Sequence, residues 1–449
     1  MKSHITEFES KEKPESYYLN LLSELQKVNP TLNAFTNLNE SISAGFPFSV
    51  KDNICVKDVE STAGSKILKS YLPPFDATVV ERIKKKGFAF LGKTNMDEFG
   101  FGTFGINSER PARNPFNPDY VAGGSSSGAA VATSILKYHV AVAESTGGSI
   151  SAPAAFCGVV GFTPTYGVIS RNGLIDYANS LDKIGFMARS ATDIRKLMNI
   201  SAGKDPRDTT SLDIRLEDEP KIQFSVINQL IEKVDGKIKS QFNKLLDRLA
   251  SQDYKIKYID VPDIEAAMPA YYIISAAEAS TNLARYTGFK YGFKVEKYSQ
   301  KYNDFFVEAR KQFGAEAKRR IILGTFVRGE SVKNRYYTKA LKVRRLLINK
   351  MNSILRESML ISPTMPIQTP KINDIEKLSP VQNYALDILT IPPNLCGLPH
   401  VSFPYDYLDG MPLGAQIVTN HFNDYSAISF VEKWEHNFDY KFKYNLGAL

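Results

Sequence analysis

Apolar residues recur every three or four positions between residues 15 and 30. Tyr18, Leu21, Leu22 and Leu25 fall on one side there, a spacing that predicts an amphipathic helix. The pattern changes at GFPFSVKDN (45–53). Phe46, Phe48 and Val50 alternate with Pro47, Ser49 and Lys51, which predicts a strand with Lys51 at its carboxyl end. DATVVERIKKKG (76–87) reads as a helix capped by Asp76 with a basic, polar end, and FAFLGKT (88–94) as a second strand. Helix and strand alternating in this way indicate an α/β fold.

Farther along, residues 114–185 are poor in charge and rich in Gly, Ser and Ala. Composition shifts after GKDPRDTT (203–210). Residues 211–360 are rich in Lys, Glu and Tyr and mostly helical in pattern, and from LISPTMPIQTP (360–370) the chain returns to short strands and turns. No internal repeat or low-complexity tract interrupts it. The expected organisation is one large domain over 1–449, with a catalytic core at about 30–205, a helical elaboration at about 211–360 and a return to the core at about 361–449.

Composition narrows the classes. Hydrophobic residues make up 43% and charged residues 23% of the 449, the balance of a soluble globular protein. The formal net charge of +8 is dilute at this length and permits a nucleic acid nearby without indicating contact. Three cysteines (Cys55, Cys157, Cys396) with no C-x-x-C pair suit a reducing compartment and argue against a disulfide framework or a zinc site. No apolar run approaches the ~18 residues of a membrane span. The first arginine is Arg82 and the N-terminus mixes both charges, so a cytoplasmic location is expected rather than the mitochondrial matrix. The five histidines are scattered, and His139, in KYHVAVA, reads as a core residue.

Two turns of small residues carry the chemical interest: GGSSSG (123–128) and ESTGGS (144–149). Residues without bulk let backbone N–H groups approach a ligand closely. Ser125 and Ser149 lie 24 residues apart, and upstream Lys51 ends a predicted strand, where α/β sheets place their sites. Lys51, NPDYVAGGSSSGAA (117–130) and STGGSISAPAAFCGVVGFTPTYG (145–167) together resemble the amidase signature family.

That resemblance implies a central, mostly parallel or mixed β-sheet covered by helices and a Ser–cis-Ser–Lys triad. By motif position Ser149 would be the nucleophile, Ser125 the bridging serine after a cis peptide, and Lys51 the base. A serine hydroxyl is a poor nucleophile until a base takes its proton. The lysine must be neutral to do so, a form that desolvation favours. The backbone N–H groups of Thr146, Gly147, Gly148 and Ser149 would stabilise the oxyanion. Ser126, Ser127, Ser145 and Ser151 read as turn or packing serines, and no metal site is expected.

GKTNMDEFGFG, GLIDYANSLDKIG, GKDPRDTTSLD, AKRRIILGTF and DILTIPPNLCGLPHVSFP narrow the resemblance to the A subunits of glutamyl-tRNA(Gln) amidotransferases. Members hydrolyse glutamine and pass ammonia to a partner that amidates misacylated Glu-tRNA(Gln), or Asp-tRNA(Asn) in the related reaction. The resemblance implies a B subunit together with a small C subunit as partners. It implies tRNA contact mainly through the partner, ATP and Mg2+ used there, and no cofactor in this chain. Tyr271, Arg320 and Asp387 would bind glutamine, with Arg319 and Tyr272 one residue away as alternatives. The usual D-T-G-G-S-I-R block has Ser145 here for its Asp and Ser151 for its Arg, and Ser127 stands where a glycine is usual; the pattern is closer to an archaeal than a bacterial variant. Two other readings remain open at this point: a stand-alone amidase on another small or hydrophobic amide, and a catalytically silent scaffold or nucleic-acid-binding subunit.

Overall fold

The computed structural model describes residues 3–11, 13–219, 221–295, 301–438 and 440–448. Its strands are β1 (Phe35–Leu38), β2 (Pro47–Lys51), β3 (Ala89–Thr94), β4 (Val140–Ser145), β5 (Val160–Thr163), β6 (Lys183–Ala188), β7 (Gln223–Ile227), β8 (Lys255–Ile259), β9 (Met359–Pro363), β10 (His400–Leu408) and β11 (Met411–Val418). They form one sheet in the order β1-β3-β2-β4-β6-β5-β10-β11-β9-β7-β8. β2 runs parallel to β3 and β4, and β7 parallel to β8 and β9, while the other neighbours are antiparallel. The sheet is therefore mixed.

The predicted first helix forms over Glu15–Leu32 and buries Tyr17, Tyr18, Leu21, Leu22 and Leu25. β2 ends at Lys51 as its alternation predicts, but all five of its residues are buried. The reason is its central position, with layers on both faces. Ser49 accordingly finds a buried partner in His139, Oγ to Nε2 at 2.9 Å, and His139 is the core histidine its apolar setting indicates.

Two expectations need correction. Asp76 does not cap the helix Thr78–Lys84, whose N-cap is Ala77. Its carboxylate instead accepts from Lys57 N at 2.8 Å and from Lys84 Nζ at 2.9 Å, while the Asn172 carbonyl takes the Thr78 N–H. The span 211–360 is not wholly helical, because β7 and β8 within it build the far edge of the sheet. The helices there include Ala267–Asn282, Ala315–Val327 and Tyr337–Glu357. The first two pack so closely that a Cβ on Gly324 would lie 1.9 Å from the Ala276 carbonyl oxygen. Only glycine fits that contact, and it fixes the two helices against each other.

After β9 the chain returns through the β10–β11 hairpin, which pairs with β5 on one side and β9 on the other. This joins the middle third to the N-terminal strands in one sheet. The carboxyl ends of the adjacent parallel strands β2 and β4 consequently open onto the helices of the middle third.

Candidate active site

Lys51, with no exposed side-chain surface, projects from the end of β2. Its Nζ lies 2.7 Å from Ser125 Oγ, 2.8 Å from Glu144 Oε2 and 3.1 Å from the Glu144 carbonyl oxygen. Ser125 follows a cis peptide bond from Gly124, as the motif implies. A Cβ on Gly124 would fall 2.0 Å from Asp97 Oδ2, so this turn admits only glycine. Asp97 braces it. Its carboxylate accepts from Asn107 N at 2.6 Å and Gly105 N at 3.1 Å, and its own N–H donates to the Ser125 carbonyl at 3.1 Å. Burial pushes the Asp97 carboxyl up to about 7.

The second turn leaves β4 and enters the helix Ser151–Cys157. Ser149 lines a cavity beside the two turns, and its carbonyl accepts from Ser126 N at 3.2 Å, which ties the two serine turns together. Its Oγ makes no hydrogen bond among the described residues. Both glycines are required by neighbours: a Cβ on Gly147 would meet the Tyr271 ring at 2.4 Å and one on Gly148 the Thr390 Oγ1 at 2.3 Å. Of the expected oxyanion donors, Gly148 differs from the sequence reading. Its N–H donates to Ser145 Oγ at 3.3 Å, and Ser145 in turn donates to Asn394 Oδ1. The Gly147 and Ser149 N–H groups are not engaged in this way.

Glu144 lies within the motif, yet sequence reasoning gives it no role. It is buried, accepts from Lys51 and from Asn53 Nδ2 (3.2 Å), and takes a hydrogen bond from Thr146 Oγ1 at 2.7 Å. Thr146 Oγ1 also lies 2.9 Å from Asp182 Oδ1. One hydroxyl hydrogen cannot serve two carboxylates. Both contacts are satisfied when Asp182 is a neutral acid that donates to Thr146 while Thr146 donates to Glu144. Burial, with the Glu144 charge added, raises the Asp182 carboxyl well above the usual range, in agreement.

The cavity, about 300 Å³, is walled on its far side by Tyr177, Tyr271, Tyr272, Arg320, Tyr384 and Asp387. Arg320 is buried, whereas Arg319 sits at the rim. The Arg320 guanidinium lies against the Tyr272 and Tyr384 rings, each 4.8 Å away, and donates to Glu316 Oε1 at 2.7 Å and Tyr177 Oη at 3.0 Å. Its Nη2 makes no hydrogen bond among the described residues. Burial alone would raise the Glu316 carboxyl, but Arg320, Tyr384 and Arg319 outweigh it and hold it low. Asp387 accepts from Tyr272 Oη at 2.5 Å and Thr103 Oγ1 at 2.9 Å. Burial lifts its carboxyl to about 6 against those bonds. Both tyrosines of the Tyr271/Tyr272 pair thus serve the cavity: Tyr271 packs on Gly147 and Tyr272 holds Asp387.

A family model described as Amidase matches residues 22–428. The glutamyl-tRNA(Gln) amidotransferase A subunit of Pseudothermotoga lettingae is 41% identical over 406 residues, covering 87% of this chain and 85% of that one. The A subunit of Sulfolobus acidocaldarius is 38% identical and covers 97% and 96%. Among solved structures, the glutamyl-tRNA(Gln) amidotransferase A subunit from Thermotoga maritima superposes with a TM-score of 0.82 at 33% identity, over 96% of this chain and 94% of that one. A 6-aminohexanoate cyclic dimer hydrolase, 22% identical with a TM-score of 0.84, shares the fold.

Among the described residues Ser149 is the one serine that lines this cavity. A fluorophosphonate should label Ser149 alone. Lys51→Ala and Ser125→Ala should each slow labelling by on the order of 10²-fold or more, as the expected relay from Ser149 through Ser125 to Lys51 requires. Peptide mapping of the adduct checks this, and rapid labelling of folded Lys51→Ala contradicts it.

Proposed function

The chain belongs to the amidase family, in the group of glutamyl-tRNA(Gln) amidotransferase A subunits, and on that premise we propose that it hydrolyses glutamine and delivers the ammonia to a partner that amidates a misacylated tRNA. The observation that carries the substrate assignment is a buried guanidinium and a buried carboxylate in the same cavity as Ser149. Free glutamine carries one negative and one positive charge beside its amide. Arg320 Nη2 suits the α-carboxylate, and Asp387, held by Tyr272 and Thr103, suits the α-ammonium. A hydrophobic amide offers no partner to the Arg320 Nη2 or to the Asp387 carboxylate.

In the proposed mechanism the Ser149 proton passes to Ser125 as the Ser125 proton passes to Lys51, and Ser149 Oγ attacks the side-chain amide carbon. The Gly147 and Ser149 N–H groups, with Thr146 in the same turn, receive the oxyanion. The reverse relay protonates the departing ammonia, and water then hydrolyses the acyl-enzyme. The proposal places ATP and Mg2+ on a B subunit that joins a small C subunit in the complex, gives tRNA contact mainly to the partner, and locates the complex in the cytoplasm. The shared designation of the relatives as A subunits supports the assembly. Among the described residues no helix is long and apolar enough to cross a membrane.

Purified protein, alone and with its partners, should hydrolyse glutamine in preference to benzamide or hexanamide; the reverse preference favours a stand-alone amidase. Arg320→Ala and Asp387→Ala should each raise KM for glutamine by roughly 10–150-fold, since a charge-assisted bond contributes about 1.5–3 kcal/mol. Unchanged KM in both contradicts the assignment.

A pH dependence follows from the same carboxylate. Asp387 must be ionised to meet an ammonium, and burial has lifted it to about 6. Binding is therefore intact above that value and weakens as pH falls through it. KM for glutamine should rise below about pH 6 in the unsubstituted protein and lose that rise in Asp387→Asn, measured by initial rates between pH 5 and 8.

A further inference from the structure

The geometry points to Glu144 as a positioning residue for the base, which holds Lys51 in line with Ser125 and supplies the negative charge that balances the proton arriving on Lys51. This inference rests on the reading of Lys51 as the base of the relay. It concerns a residue that carries no role in the motif, one position before the Ser145 that replaces the usual Asp. Consecutive strand residues point to opposite sides. Ser145 meets Asn394 and the Gly148 N–H, whereas Glu144 meets Lys51, so a carboxylate at 144 does not stand in for one at 145.

Three acceptors surround Lys51 Nζ: Ser125 Oγ, the Glu144 carbonyl and Glu144 Oε2. They match the three N–H bonds of an ammonium. In the neutral amine, one proton is gone and the nitrogen lone pair faces Ser125. When Ser149 attacks, its O–H bond breaks, its proton joins Ser125 Oγ, and the Ser125 proton forms the third N–H bond at Lys51. The ammonium so formed has no access to water. A buried cation without a counter-charge is strongly disfavoured, and Glu144 supplies that charge at 2.8 Å. A carboxylate behind the base in this way also fixes the base's orientation, as in other hydrolytic triads.

The surroundings keep that charge single. Glu144 faces Lys51 from β2, Asn53 just beyond it, and Asp182 across Thr146. Asp182, held neutral by burial and by the Glu144 charge, donates to Thr146 and adds no second negative charge. Asp97 faces Lys51 from the loop after β3 and is raised to about 7 by burial. Asn53 and Thr146 fix both oxygens of Glu144. The carboxylate therefore bridges the base and the turn that carries the nucleophile.

The test is steady-state glutamine hydrolysis by Glu144→Gln in the full chain with its partners. Glutamine at 144 keeps the size of the side chain and removes the charge. The expected result is a kcat lower by on the order of 10²-fold, with KM within about threefold. Glu144→Asp retains the charge at a shorter reach and should lower kcat by less at the same KM, which keeps the inference testable if Glu144→Gln does not fold. An unchanged kcat in folded Glu144→Gln, or a Glu144→Asp no more active than Glu144→Gln, overturns the role of Glu144. Retained hydrolysis in Ser149→Ala, run beside it, would instead overturn the reading of the site as an amidase.

Discussion

Burying a lysine at the end of a central strand is the constraint on which the site depends. Lys51 has no exposed side-chain surface, and every direction around its nitrogen must offer an acceptor. A turn and a strand end meet this demand. The glycine turn, braced by Asp97, brings Ser125. The strand end, that of β4, brings both the carbonyl and the carboxylate of Glu144. The parallel pairing of β2 with β4 sets these groups side by side, and the rest of the sheet holds that pairing in place.

The middle third of the chain closes the other side of the site. Helices Ala267–Asn282 and Ala315–Val327 bring Tyr271, Tyr272 and Arg320 to the cavity, and their contact at Gly324 leaves no room for adjustment. Arg320 is partly neutralised by Glu316, and Asp387 is held by two hydroxyls. The cavity thus presents opposite charges already oriented by neighbours. Such preorganisation limits the ordering cost of binding a small zwitterion.

Much of this is legible in the sequence where the signal is local. The alternation at 45–53 locates β2, and the two small-residue turns locate the serines. What escapes is set by tertiary contact. Asp76 has the sequence position of a cap, but Lys57 and Lys84 compete for its carboxylate. β7 and β8 are five-residue strands inside a Lys- and Glu-rich stretch, too short to break its helical pattern. The role of Glu144 depends on a lysine 93 residues away, and that of Asp182 on a threonine 36 residues away. Tyr271 and Tyr272 are adjacent on a helix, and only packing against Gly147 and Asp387 separates their duties.

The central claim is that this site makes ammonia for a reaction completed elsewhere in an assembled amidotransferase. The direct measurement is the amount of amidated aminoacyl-tRNA formed by the complex carrying Ser149→Ala, with glutamine or with a high concentration of ammonium as nitrogen donor. The account predicts no product from glutamine and restored product from ammonium, because it assigns the ATP-dependent activation step to the partner, which the substitution leaves untouched. Failure of ammonium to restore amidation in an intact, tRNA-binding complex would contradict it.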